Sequence, residues 1–143
     1  DLAACIGASW IYGGHRNTLK ALHGMAAPDG WIVVGEPYWR REPPLEYLEA
    51  LGESRENYGT HYENVLAGQE LGLEAVYTLV SSHDDWDHYE GLQWYAAEAW
   101  AGANPDDPDV DDLLKRVRGG KAAYLKWGRD TLGWAIYLFR KRN

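Results

Sequence analysis

Apolar residues along the chain fall into two kinds of run. Leu2 to Ile6, Trp31 to Gly35 and Trp134 to Phe139 are short and nearly uninterrupted, the pattern of strands covered on both faces. Leu73 to Val80 alternates, which predicts a third strand in chain order. Between the first two runs, Leu19, Leu22 and Ala26 recur at helical spacing. They predict a helix from about residue 17 to 26, with Asn17 or Thr18 as its cap and Pro28-Asp29-Gly30 as the turn beyond it. Strand, helix, turn and strand within some 35 residues make a βαβ unit with a parallel, right-handed pair.

The middle of the chain reads as interrupted helices. Pro43-Pro44 opens one that Gly52 stops at Leu51, and Thr60 to Leu71 forms another. A long helix is predicted from Ser82–Asp85 to about Ala101, with Tyr89, Leu92, Ala96, Ala99 and Trp100 on one stripe. After Asn104-Pro105, Asp107 is expected to cap a helix whose first residue is Pro108. That helix loosens at Gly119-Gly120 and resumes toward Trp127. The expected fold class is α/β, with about four strands in one partial doubly wound sheet, helices on both faces, and a helical insertion over about 84–129.

Composition narrows the partners. The 143 residues include 14 Lys or Arg against 22 Asp or Glu, a net charge of −8, which disfavours nucleic acid and anionic membrane surfaces. Nine of those cations lie beyond residue 114, but they are interleaved with Tyr124, Leu125, Trp127, Trp134, Ile136, Leu138 and Phe139, the marks of a packed element. No apolar run reaches the roughly 18 residues of a membrane span. A soluble, cytoplasmic protein is expected. Eight Trp and ten Tyr against a single Phe suit a pocket that is mostly apolar yet holds a small molecule in register, although most of these rings are expected to fill the core.

Several chemistries lack their residues. Cys5, the one cysteine, lies within a strand, where a thiol is usually inert. Ser9 is outside any GxSxG elbow, and no GxxxxGK[ST] loop is present. His83, Asp84, Asp85, Asp87 and His88 cluster, and Asp84 and His88 share a helix face. Acids at a helix start are better explained by the helix dipole, so no metal is expected. What remains is position: Gly7-Ala8-Ser9 and Glu36-Pro37-Tyr38-Trp39 follow the carboxyl ends of neighbouring parallel strands, the edge where open α/β sheets bind ligands.

Asp1-Leu-Ala-Ala-Cys-Ile-Gly-Ala-Ser-Trp, the turn Pro28-Asp29-Gly30 and the run Trp31-Ile-Val-Val-Gly-Glu-Pro-Tyr-Trp together resemble the C-terminal half of a class I S-adenosylmethionine-dependent methyltransferase of the small-molecule type. In that family a strand that starts with Asp leads through a helix and a Pro-x-Gly turn to a strand ending in Glu. The final strand runs antiparallel between its neighbours. The specific part of the resemblance covers residues 1 to about 40, and the rest matches in order of elements. It implies methyl transfer from S-adenosylmethionine to a small-molecule acceptor. Asp1, Gly7, Ala8 and Ser9 would lie toward the cofactor. Trp10, Tyr38 and Trp39 would line the acceptor wall with Glu36 as the catalytic residue, and Trp86 and Tyr89 would form a lid. The family's glycine-rich turn and ribose-gripping acid are missing from these residues. The resemblance therefore implies a fragment, inactive alone, of a longer enzyme, with the main cofactor motifs upstream and a first strand free to self-associate. The rival reading is a non-catalytic α/β module that binds a ligand or partner in its aromatic groove.

Overall fold

The computed structural model describes residues 1–142. Four strands, β1 (Leu2–Ile6), β2 (Trp31–Trp39), β3 (Leu73–Val80) and β4 (Leu132–Lys141), form one sheet in the order β1-β2-β4-β3. β1 is parallel to β2, whereas β4 is antiparallel to both β2 and β3. The last strand therefore lies between its neighbours, as its two apolar rows predict.

Helix α1 (His15–Met25) crosses from β1 to β2, and α3 (His61–Gln69) packs beside it on the same face. Under them lies the main core. Leu19 and Leu22 of α1 meet Ile32, Val34 and Tyr38 of β2 and Ala135, Tyr137 and Phe139 of β4. Helix α2 (Leu45–Leu51) and helix α5 (Val110–Ala123) build a second cluster with the carboxyl end of β2, in which Tyr47 and Ala123 pack with Trp39. Strand alternation puts Trp39 on the side opposite Tyr38, so helices lie on both faces. They cover only one end of the second face. Farther along it, Leu2 and Ile6 of β1 and Tyr77 and Leu79 of β3 are each more than half exposed. Helix α4 (His83–Ala103) packs on α5.

Four local expectations are corrected. Helix α1 begins at His15, because Gly14, at φ 106°, turns the chain and its carbonyl accepts the first helical bond from Thr18 N. Neither Asn17 nor Thr18 caps it. β2 runs on to Trp39, so Glu36-Pro37-Tyr38-Trp39 is strand rather than a cluster past its end: β4 accompanies it as far as the Trp39–Leu132 pair. Pro37 is tolerated because its nitrogen faces the β1 side, where β1 has already ended opposite Gly35. The cap of α5 is Asp109, with Val110 its first residue. Asp107 and Pro108 belong to the preceding turn, in which Asp107 Oδ1 accepts from Asp109 N at 2.9 Å. Finally, α5 passes through Gly119-Gly120 without loosening. It widens only at the π turn Tyr124–Gly128, before a last helical turn, Arg129–Thr131.

At the start of α4, Ser82 and Asp85 form a reciprocal capping box, while Asp87 of the same cluster pairs with Arg129 and accepts from Tyr124 Oη. Among the described residues no group of three or more His, Cys, Asp or Glu is placed to hold a metal ion. No helix among them is long and apolar enough to cross a membrane.

Candidate functional site

Where β1 ends, Gly7 adopts φ 69° and its N–H donates to Gly35 O at 3.1 Å. A side chain is disfavoured in that conformation, and the turn peels the chain away from the sheet. Ser9–Tyr12 then makes a single 3₁₀ turn before Gly13-Gly14 and α1. Beside this turn opens a cleft of about 780 Å³, lined by Gly7, by Ser9 and Trp10 of the turn, and by Glu36 and Pro37 of β2. Its opposite wall is the turn Arg55–Asn57 with Tyr58 and Gly59.

Glu36 is the chemical centre of the cleft. Its side chain is 1% exposed; Ser9 Oγ donates to Oε1 at 3.0 Å, and Oε2 has no hydrogen-bond partner within the protein. Burial disfavours the charged form and raises the carboxyl to about 7, against the smaller opposing pull of the Ser9 hydroxyl. The neighbouring phenol of Tyr58 is also pushed up, to about 12, by burial first and then by the charges of Glu53 and Glu36.

His15, from the first turn of α1, lines the same cleft and is buried. Its Nε2 lies 2.9 Å from Asn64 O, so it donates there, which leaves Nδ1 unprotonated and without a partner. Burial lowers the His15 pKa, keeping the ring neutral. Asn64 Nδ2 donates to Pro37 O at 3.3 Å and to Tyr137 Oη at 3.1 Å. The Tyr137 hydroxyl in turn faces His61 Nδ1 at 3.1 Å. One amide thus ties α3 to β2 and β4 beneath the floor of the cleft. The far wall is anchored by Arg55, whose guanidinium pairs with Glu42 and whose carbonyl accepts from Trp39 Nε1 at 2.8 Å.

Of the residues singled out from sequence, the cleft brings together Gly7, Ser9, Trp10 and Glu36. Ala8 sits between two of them but is not part of the lining. Asp1 is at the opposite end of β1, where its carbonyl accepts from Trp31 N, a strand's length from the cleft. Tyr38 and Trp39 do not line it either. Because both are in β2, alternation turns Tyr38 into the main core, 5.1 Å from the His61 ring, and Trp39 into the second cluster between Tyr47 and Tyr58. Trp86 and Tyr89 stack on each other at 5.6 Å on α4, and Trp86 faces a separate cavity of about 430 Å³ with Glu90 and Tyr124. They do not roof the Glu36 cleft. His15, Asn64, Tyr58 and Trp134 were not foreseen as its lining. The one signal for His15 was Gly13-Gly14 just before it, which frees the backbone to enter a helix beside the strand end.

No protein-family model matches the sequence. The chain is 32% identical over 144 residues to the uncharacterized protein YjhP of Escherichia coli K12, covering 99% of this chain and 58% of that one. Two crystal structures, each of a SAM-dependent methyltransferase in complex with S-adenosyl-L-homocysteine, superpose with a TM-score of 0.89. The protein from Geobacter sulfurreducens is 31% identical and that from Thiobacillus denitrificans 30%, each over 99% of this chain. The chain covers 57% and 58% of those two proteins, so it spans less than two thirds of the length of its relatives. Throughout the part of those proteins that it spans, the chain has the fold of the class I S-adenosylmethionine-dependent methyltransferases.

Proposed function

We propose that the protein binds S-adenosylmethionine and takes part in methyl transfer to a small-molecule acceptor in the cleft over Glu36. The observation that carries this reading is the Ser9–Glu36 pair, which sits just past the carboxyl end of β1, where the parallel strand β2 runs on beyond it, in a chain about 31% identical to a methyltransferase crystallised with S-adenosyl-L-homocysteine. When bound, the cofactor supplies a methyl group on sulfonium, a good leaving group. The protein's task is then to align the acceptor and exclude water. Gly7, Ala8 and Ser9 suit the cofactor side because small side chains leave the backbone approachable. A Cβ on Gly7 would already touch Trp134 at 3.4 Å. Glu36, with one free buried oxygen, suits the acceptor side. These residues fit only part of the cofactor, since no glycine-rich turn and no acid for its ribose are present in the sequence. The reading therefore includes further cofactor-binding residues outside these 143, with residues 84–129 as a helical excursion, the cytoplasm as its location and no nucleic-acid partner.

Titration of isotope-labelled chain with S-adenosyl-L-homocysteine, followed by NMR, tests the placement. Shifts concentrated in the amides of Gly7 to Trp10 and in Glu36 are expected. Shifts elsewhere with none at this strand end would overturn it.

The open half of the sheet adds a second expectation. Among the described residues no strand pairs with the outer edge of β1, and Leu2, Ile6, Tyr77 and Leu79 leave an apolar face in water. The isolated chain should associate through this surface, with sedimentation showing species above 16.2 kDa that Ile6→Lys disperses. A clean monomer at high concentration would count against it.

A further inference from the structure

The geometry points to a primary or secondary amine, bound as its ammonium ion, as the class of ligand that the cleft receives at Glu36. This inference deepens the methyl-transfer reading and rests on it only for the role of that amine as acceptor. Glu36 Oε2 is buried against the cleft and accepts no hydrogen bond from the protein. A buried carboxylate oxygen without a donor is costly, and a ligand N–H aimed at it removes that cost. Charge around the cleft favours a cation over a neutral donor. Glu53 and Glu56 line the far wall, and the cleft's one guanidinium, Arg16, is already paired with Glu70. His15 is held neutral by burial. One buried carboxylate, Glu36, thus faces a half-buried one, Glu53, and an exposed one, Glu56, at the rim, and among the described lining residues no unpaired cation answers them, an arrangement that focuses negative potential. The rings of Trp10, Tyr58 and Trp134 line the same recess and offer faces or edges for the ligand's carbon atoms and charge.

The N–H requirement separates this ligand from its near relatives. A quaternary ammonium would enjoy the rings and the field but could not donate to Oε2. An alcohol would donate without charge, and a carboxylate would be repelled.

NMR titration of the labelled 143-residue chain with n-propylamine, n-propanol, propionate and tetramethylammonium reads these differences directly, without any cofactor. At pH 8, propylamine is expected to shift the Glu36 carboxyl carbon and the Trp10 and Trp134 indole signals, with affinity at least about 5-fold above that for tetramethylammonium or propanol. Propionate should do nothing. The groups facing Glu36 are Ser9 from the 3₁₀ turn, Tyr58 from the far wall and Tyr137 from β4, and none of them carries positive charge. Affinity should therefore rise as pH climbs through the Glu36 midpoint near 7 and fall again near 10, where the amine itself loses its proton. Bound amine should lower the Glu36 midpoint, since a neighbouring cation favours the carboxylate. Glu36→Gln should reduce propylamine affinity at least about 10-fold with the spectrum otherwise folded. Glu56→Gln, on the exposed rim, should cost less and only at low salt.

Equal binding of propanol and propylamine, or full affinity in Glu36→Gln, would overturn the assignment. Amine binding intact in a chain whose Gly7 to Trp10 amides stay unshifted even at the highest S-adenosyl-L-homocysteine concentration that dissolves would instead sink the methyl-transfer reading and leave the amine site standing. Amine indifference in a chain that still binds the cofactor analogue would do the reverse.

Discussion

S-adenosylmethionine should bind the 143-residue chain at least about 100-fold more weakly than it binds the Geobacter sulfurreducens relative, which was crystallised with S-adenosyl-L-homocysteine. The chain spans 57% of that protein, and the proposed function places the glycine-rich turn and the ribose acid outside these 143 residues. A typical hydrogen bond contributes about 1 kcal/mol and one to a charged group about 1.5 to 3 kcal/mol. Losing a ribose carboxylate and two backbone contacts therefore removes roughly 3 kcal/mol or more, and each 1.4 kcal/mol is tenfold in affinity. What the chain retains, Gly7 to Ser9, contacts only the end of the cofactor nearest the acceptor in this reading. Side-by-side calorimetry decides the matter. Comparable affinities would mean that the 143 residues hold a complete cofactor site, and the proposal that further cofactor-binding residues lie outside them would be wrong.

How much of this was legible in the sequence follows from which forces are local. β4 was readable because an interior strand must be apolar on both sides, and Trp134 to Phe139 is. The crossover from β1 through α1 to β2 was readable from spacing alone. The end of β2 was not, because Pro37 reads as a stop unless one knows which edge its missing N–H faces, and that depends on where β1 ends. That single misreading displaced Tyr38 and Trp39. Taken as loop residues beyond a strand, they looked like a pocket wall; as strand residues they alternate into two different cores. Glu36 was misplaced past the strand end as well, yet it still lines the cleft, because β1 stops opposite Gly35 and leaves that part of β2 open. The far wall of the cleft had no sequence signal, since Glu53, Glu56 and Tyr58 reach it through the Trp39–Arg55 hydrogen bond, a tertiary contact.

Neighbouring residues of β2 should therefore respond to substitution with opposite signs. Trp39→Ala is expected to destabilise the chain by about 3 to 5 kcal/mol, the usual cost of deleting a large buried aromatic. Trp39 is 2% exposed, packs on Tyr47 and Tyr58, and leaves the Arg55 carbonyl without its donor when removed. The loss should not depend on pH. Glu36→Gln should do the opposite, and only above neutrality. The Glu36 carboxyl is raised in the folded state from 4.5 to about 7, so between those values the folded chain holds a proton that the unfolded chain has released. Stability contributed by this group is fully present below about pH 4.5, falls as pH rises, and above about 7 has declined by up to roughly 3 kcal/mol, at 1.36 kcal/mol per pKa unit. Gln keeps the shape and can still accept from Ser9 without carrying the buried charge. Thermal unfolding at pH 8 should place Glu36→Gln above the unsubstituted chain by roughly 10 °C, with the gap closing toward pH 5. A gap that does not change with pH would mean that Glu36 is not ionised in the cleft. A Trp39→Ala chain that melts like the original would return that ring to the wall of the pocket.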